Sequence, residues 1–199
     1  MATDIADIER NLQSFFNFED KSVVHVGAGG GQLIGYSSIT RSVLAVDIDA
    51  DAASRLERSV CEKGLSNLFK IEVADILSIS QDADVVFFEF CLHEMSNPAK
   101  ALKHAKGLAP NILLIDHHPD SPWGWYICED TKVSWSWEEA RRLNVIREVS
   151  YKVTQEFDSY SELLSKVEVM GESALDRISK FSNKNNIQIE MIYTIALLE

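Results

Sequence analysis

No stretch of these 199 residues is apolar for long enough to cross a bilayer, and no membrane association is expected. The opening segment, MATDIADIERNLQ, is acidic and mixed and has none of the apolar run of a secretory signal. A cytoplasmic location is therefore expected. Cysteine is scarce: Cys61, Cys91 and Cys128 lie far apart, in no zinc-type spacing, and an odd count argues against a disulfide framework. They read as reduced thiols. Basic charge is also short, with 19 Lys and Arg against 31 Asp and Glu, a formal net charge of -12. Nucleic-acid binding needs a basic face to neutralise phosphates. Here the basic residues are scattered beside acids, as in EEARRLNVIRE. A small or cationic substrate fits better than a polyanion, and no nucleic-acid partner is expected. There is no internal repeat, low-complexity linker or shift in composition, so residues 1–199 read as one domain.

What is present alternates between two periods. Ile5, Ile8, Leu12, Phe15 and Phe16 are spaced for a helix over residues 4–18. KSVVHVG reads as a strand, GQLIGYSSI as a helix opening from the glycines, and SVLAVDID as a second strand. DADAASRLERSVCEKG reads as a helix closed by Gly64. LFKIEVADI and ADVVFFEFC follow as strands three and four. In NPAKALKHAKGLAP, Asn97 is the expected cap, Pro98 the first helical residue and Gly107 a terminator. NILLIDHH is the fifth strand. Residues 119–137, rich in aromatics, read as an extended loop. Ser136 and Glu139 form a capping-box pattern before a helix, WEEARRLNVIR. EVSYKVTQEF reads as a strand, SYSELLSKV and ESALDRISKF as helices, and NIQIEMIYTIALL as the last strand. Continuous apolar strands separated by helices imply an α/β fold: a doubly wound, mostly parallel sheet covered on both faces.

Four of the nine glycines fall in HVGAGGG, directly after the first strand. In doubly wound sheets ligands sit at the carboxyl ends of the strands, and such a turn lets backbone approach them. Gly27, Gly29 and Gly31 give G-x-G-x-G, without the third spacing of the usual dinucleotide fingerprint. Asp47 ends the second strand, where a carboxylate can accept from both hydroxyls of a ribose.

With these motifs the chain resembles the class I S-adenosylmethionine-dependent methyltransferases, from about residue 20 to the C-terminus. HVGAGGG is similar to their first motif, VDID to the second and VADI to the third. DVVFFEFCLHEMSNPAKALKHAKGLAPNILLID is similar to the fourth strand, the helix after it and the fifth strand. The resemblance implies a seven-stranded sheet with an antiparallel last strand and S-adenosylmethionine as cofactor, released as S-adenosylhomocysteine. It implies that Gly27, Ala28, Gly29 and Gly31 line the methionine part. Asp47 would bind the ribose, Ile48 pack on the adenine, Asp75 accept from the adenine amino group and the Ile76 amide meet a ring nitrogen. Glu89 would turn toward the sulfonium and substrate. His25 stands where the family usually has an acid that helps hold the cofactor's amino group.

His93 and Glu94, in CLHEM, either line the substrate site or fix the loop after the fourth strand. Of His117 and His118, adjacent on an extended chain, at most one faces the pocket. Asp116, one of these histidines and Glu94 have no paired spacing that supports a metal site, and none is expected. Trp123, Trp125, Tyr126, Trp135 and Trp137 fall in residues 117–137, a segment placed to cover the acceptor; residues 1–19 are a candidate second half of that lid. The alternative for both is plain packing. The expected reaction is methyl transfer to a small molecule. Glu89, His93, Glu94 and His117 are candidates to remove a proton from the acceptor if it carries one. Two rival readings stand beside it: a cofactor-binding protein or subunit without its own activity, and an RNA or protein methyltransferase. The second lacks support from Glu89-Phe90-Cys91-Leu92, which is not the Asn/Asp-Pro-Pro-aromatic run of many enzymes that methylate base or glutamine nitrogens.

Overall fold

The computed structural model describes residues 5–199. Helix α1 (Ile5–Phe15) buries Ile8, Leu12 and Phe15, the stripe its spacing dictates; the expected start at residue 4 lies outside the described residues. Strand β1 (Ser22–Val26), β2 (Ser42–Asp47), helix α2 (Ala50–Glu62), β3 (Phe69–Val73), β4 (Val85–Glu89), α3 (Pro98–Leu108) and β5 (Asn111–His117) follow. Then come α4 (Pro122–Tyr126), α5 (Asp130–Ala140), β6 (Val145–Ser159), α6 (Tyr160–Val167), α7 (Glu172–Ile178) and β7 (Asn185–Leu198). The seven strands form one sheet in the order β3-β2-β1-β4-β5-β7-β6. β1 to β5 run parallel, and β7 is antiparallel to both β5 and β6.

The strands are apolar throughout because both faces are covered. In β4, Val85 and Phe87 enter one core while Val86 and Phe88 enter the other. In β5, Leu113 and Ile115 share the first core, and Ile112 and Leu114 the second. α1, α2 and α6 cover the first face; α3 and α5 cover the second. Strand order reverses between β1 and β4. Gly27 and Glu89 stand at the carboxyl ends of these two strands, the place where a doubly wound sheet opens a crevice. β5 stops where His117 pairs with Tyr193, whereas β6 and β7 run on together to Ser159 and Asn185. Their ribbon overhangs the crevice.

Several sequence expectations need correction. No α-helix opens from the glycines: residues 31–34 turn, and Gly35–Ile39 form a short 3-10 helix. α1 lies against this turn instead, and the Glu9 carboxylate accepts from the Gly35 amide. Residues 119–137 are not an extended loop. Pro122 starts α4, where its missing N–H costs nothing, and α5 already runs through Ser136. That hydroxyl donates to the Val133 carbonyl at 2.9 Å, a mid-helix bond rather than a cap. The helix expected over WEEARRLNVIR stops at Ala140, because Val145 and Ile146 join β6. Gly107 lies inside the last turn of α3, and Ala109 ends the helix in an extended conformation. Asn97 does cap α3, accepting from the Lys100 amide at 2.9 Å, and Gly64 follows α2 with φ +69°.

Candidate functional site

Two clefts open at the carboxyl ends of the strands, and they meet. The first, of about 520 Å³, is lined by residues from the ends of β1, β2, β3 and β4. The second, of about 340 Å³, lies under α1, α4 and the β6–β7 ribbon. Gly27, Glu89 and Phe90 border both.

The glycine turn exists because two elements pass very close to it. A Cβ on Gly27, whose φ is +71°, would lie 2.5 Å from the Cβ of Cys91. On Gly31, φ +77°, it would lie 3.0 Å from the Cβ of Ser59 on α2. The turn thus brings β1 against the end of β4 and seats α2. Ala28 is fully buried and Gly31 packs under α2, so these two build the turn and do not line the first cleft, as had been expected. Gly27 does line it, and Gly29 borders the second cleft.

The rim of the first cleft is acidic. Asp47, Asp75, Glu89 and Glu94 line it, with no Lys or Arg among the described lining residues. Asp47 Oδ2 accepts from the Gly29 amide at 3.1 Å and Oδ1 from the Asp49 amide at 3.0 Å. Each oxygen keeps a second lone pair. Asp75 Oδ1 accepts from the Leu77 amide at 2.8 Å. The Ile76 amide, first in that 3-10 turn, has no acceptor within the turn. Ile48 also lines the cleft and is 77% exposed, an uncovered apolar side chain where a flat ring would rest.

Glu89 links the two clefts to the interior. Its Oε2 lies 2.8 Å from His25 Nε2, yet the two atoms are not aligned for a hydrogen bond and both remain buried without one. Behind them the Tyr36 hydroxyl lies 3.0 Å from His25 Nδ1, and Phe87 stacks on the His25 ring at 4.5 Å. Burial raises the Glu89 carboxyl above the usual carboxylate range, against the pull of His25. Burial also drives the Tyr36 hydroxyl well above its usual value. His25 itself borders neither cleft. The expected direct contact of His25 with a cofactor is therefore corrected: β1 alternation turns its ring into the core, and it reaches the site only through Glu89.

The remaining candidates separate. His117 lines the second cleft, with its ring Nδ1 buried and unpaired. Burial holds its pKa down at about 4, so the ring is a neutral acceptor at pH 7. His118 points elsewhere and accepts from the Asp120 amide at 3.0 Å. His93 is buried and lines neither cleft. Its Nδ1 donates to Asp116 Oδ1 at 2.6 Å, and Glu94 and Glu129 face its Nε2. Burial pushes the His93 pKa down, but the hydrogen bond to Asp116 and the facing carboxylates of Glu129 and Glu94 outweigh it and carry the pKa to about 12. Glu94 stands at the first cleft, its carboxyl held below the usual range mainly by His93. Burial raises the Cys91 thiol well above its usual value, so it is no nucleophile. Of the aromatic set, Trp123 borders the second cleft, while Trp137 is buried and donates from its indole N–H to the His117 carbonyl at 2.6 Å. Trp125 and Trp135 are 45% and 41% exposed.

Sequence reading missed Phe90, Gln155 and Met191 as cleft residues and Glu129 as a partner of His93. Phe90 had a faint signal, an aromatic at the strand end beside Glu89. Its left-handed conformation, φ +45°, was invisible.

Residues 24–110 match the model of a family described as "Methyltransferase domain". Over that stretch, a little under half of its length, the chain is similar to a methyltransferase domain. Its fold is shared by solved structures of low identity. A candidate methyltransferase from Bacillus halodurans is 14% identical with a TM-score of 0.69, over 98% of this chain and 97% of the other. A SAM-dependent methyltransferase from Aquifex aeolicus is 18% identical with a TM-score of 0.63, over 98% and 90%. A candidate sarcosine dimethylglycine methyltransferase from Galdieria sulphuraria is 13% identical with a TM-score of 0.64, over 97% and 85%. Among curated proteins none matches the sequence. The family implies S-adenosylmethionine, and the first cleft fits that group. Its four carboxylates suit a ligand bearing a sulfonium and an ammonium, and the bare Ile48 side chain offers a ring a surface.

Proposed function

We propose that the enzyme methylates a small molecule held in the second cleft, using S-adenosylmethionine held in the first. The observation that carries this is the junction of the two clefts at Gly27, Glu89 and Phe90. When bound, the cofactor supplies a methyl group already activated on a sulfonium. Asp47 accepts from the ribose hydroxyls; Asp75 and the Ile76 amide take the adenine edge, and Ile48 covers its face. Glu89 accepts from the ammonium or stabilises positive charge at the junction, a role its burial beside His25 suits. The second cleft aligns the acceptor. Ile8, Leu33, Phe90, Trp123 and Met191 give it apolar walls, and Gln155 and His117 add polar groups. Alignment and exclusion of water are most of what a transfer from an activated donor requires. Where the acceptor carries a proton, His117 is the group to receive it: neutral, buried and unpaired at Nδ1. A cavity of this size suits a metabolite, not a chain end, and the net charge of -12 suits a neutral or cationic one.

The test is incubation with methyl-labelled S-adenosylmethionine and a cell extract split into metabolite, RNA and protein fractions. Label in a metabolite, identified by mass spectrometry, supports the proposal. Label confined to RNA or protein overturns the small-molecule acceptor.

A further inference from the structure

The turn after β4, the end of β5 and the start of α5 bring one histidine and three carboxylates together beside the first cleft. His93 is buried, and its Nδ1–H donates to the fully buried Asp116 carboxylate at 2.6 Å. That bond fixes both the ring and its tautomer. Nε2 then faces two carboxylate oxygens, Glu94 Oε1 at 3.3 Å and Glu129 Oε2 at 3.4 Å. Glu129 precedes α5 but does not cap it; the buried side chain turns inward to His93 instead.

Three electron-pair donors converging on one point require positive charge there. A proton on Nε2 is one answer, but a proton serves one oxygen at a time. A charge-assisted N–H···O bond closes to about 2.7–2.9 Å, and neither distance does so. A metal ion is the other answer. Bonds of about 2.0–2.2 Å to nitrogen and oxygen place the edges of a tetrahedron at ~3.3–3.5 Å, the separation of Nε2 from both oxygens. Charge agrees. With all three ionised, Asp116, Glu94 and Glu129 would bring three negative charges against Lys132, which lies 3.0 Å from Glu94 Oε2, and one imidazolium; burial raises the Glu129 carboxyl above its usual range, as an unmet charge there would require. A divalent cation that displaces the imidazolium proton balances the cluster. It also leaves Lys132 on Oε2 and takes Oε1. Glu94 is half-exposed and borders the first cleft, which gives the ion a path in.

We propose that His93 Nε2, Glu94 and Glu129 bind a divalent transition-metal ion, with Asp116 as the outer partner of His93. Binding replaces the Nε2 proton, which goes to solvent. One imidazole and two carboxylates suit zinc, iron, manganese or cobalt, and leave a four-coordinate ion one open position. The site goes beyond the methyltransferase reading and does not depend on it.

The experiment uses Co²⁺ as the probe on full-length, chelator-stripped protein. Visible d–d absorption, equilibrium dialysis and the thermal midpoint are followed, and S-adenosylhomocysteine binding is measured on the same sample. The proposal expects one Co²⁺ per chain, a d–d band and a raised midpoint. Glu94→Gln and Glu129→Gln should each weaken binding at least tenfold, and Asp116→Asn by about 10–100-fold. Protein that binds S-adenosylhomocysteine but takes up no Co²⁺ overturns the metal site and leaves the methyltransferase reading intact. Uptake that both glutamate variants leave unchanged overturns the ligand assignment. Co²⁺ uptake without S-adenosylhomocysteine binding supports the metal site and counts against the cofactor cleft.

Discussion

Replacing Asp47 with alanine separates the two tasks of that carboxylate. In the free protein it accepts from the Gly29 amide at 3.1 Å and the Asp49 amide at 3.0 Å, so it ties the glycine turn to the end of β2. Both bonds are at a half-buried site where water can replace the acceptor. Each contributes about 0.5–1.5 kcal/mol net, so Asp47→Ala should lose about 1–3 kcal/mol of stability and still fold. The ribose bonds come on top. Two charge-assisted bonds are worth about 1–2 kcal/mol each at this exposure, below the full range for buried charges. Affinity for S-adenosylhomocysteine should fall by about 2–4 kcal/mol, roughly 30- to 1000-fold. Asp47→Asn, which keeps one acceptor oxygen, should fall between. Calorimetry gives the affinities and urea unfolding the stabilities. A folded Asp47→Ala variant with unchanged affinity would refute the placement of the ribose.

Burial holds His117 at about 4, below its ordinary 6.5. Its contribution to stability is therefore complete above pH 6.5 and is lost as pH falls toward 4. That is a swing of about 3 kcal/mol, so His117→Gln should gain that much on the parent between pH 7 and pH 4; parallel urea-stability curves contradict it. Tyr36→Phe leaves His25 Nδ1 buried without its hydroxyl partner and should cost about 1–3 kcal/mol, and a loss under half a kilocalorie by the same method shows that the bond is not made. Because residues 122–140 are largely helical and anchored by Trp137, they should resist protease equally in free and liganded protein. An acceptor should change fluorescence through Trp123, so Trp123→Phe removes the response and Trp135→Phe keeps it; the reverse pattern counts against the second cleft.

The parallel half of the fold was legible because period and punctuation agreed. VVFFE, short, apolar and made of β-branched and aromatic residues, reads as a strand buried on both sides, and Asn97-Pro98 marks a helix start by its own chemistry. The carboxyl-end logic of such a sheet then pointed to Asp47, and the resemblance to the methyltransferases added Asp75 and Glu89. Elsewhere local signals misled. Ser136 and Glu139 imitate a cap, but the helix had begun at Asp130, and nothing local tells a Ser that bonds backward to Val133 from one that caps forward. The aromatic segment 119–137 hides its helices because Pro122, Gly124 and clustered tryptophans blur a 3.6-residue period. His93 could not be assigned because its partners come from distant positions: Asp116 from β5 and Glu129 from the start of α5. His25 was misplaced for a related reason. Its motif position was right, but whether its ring meets a ligand or Glu89 depends on the neighbouring strand.

The central claim is that the first cleft holds S-adenosylmethionine. Calorimetric titration of the chain with S-adenosylhomocysteine and, separately, with NAD tests it directly. The acidic rim without a lysine or arginine predicts one molecule of S-adenosylhomocysteine bound per chain and no heat from NAD, whose diphosphate meets only carboxylates there. Binding of NAD with no response to S-adenosylhomocysteine would contradict the account.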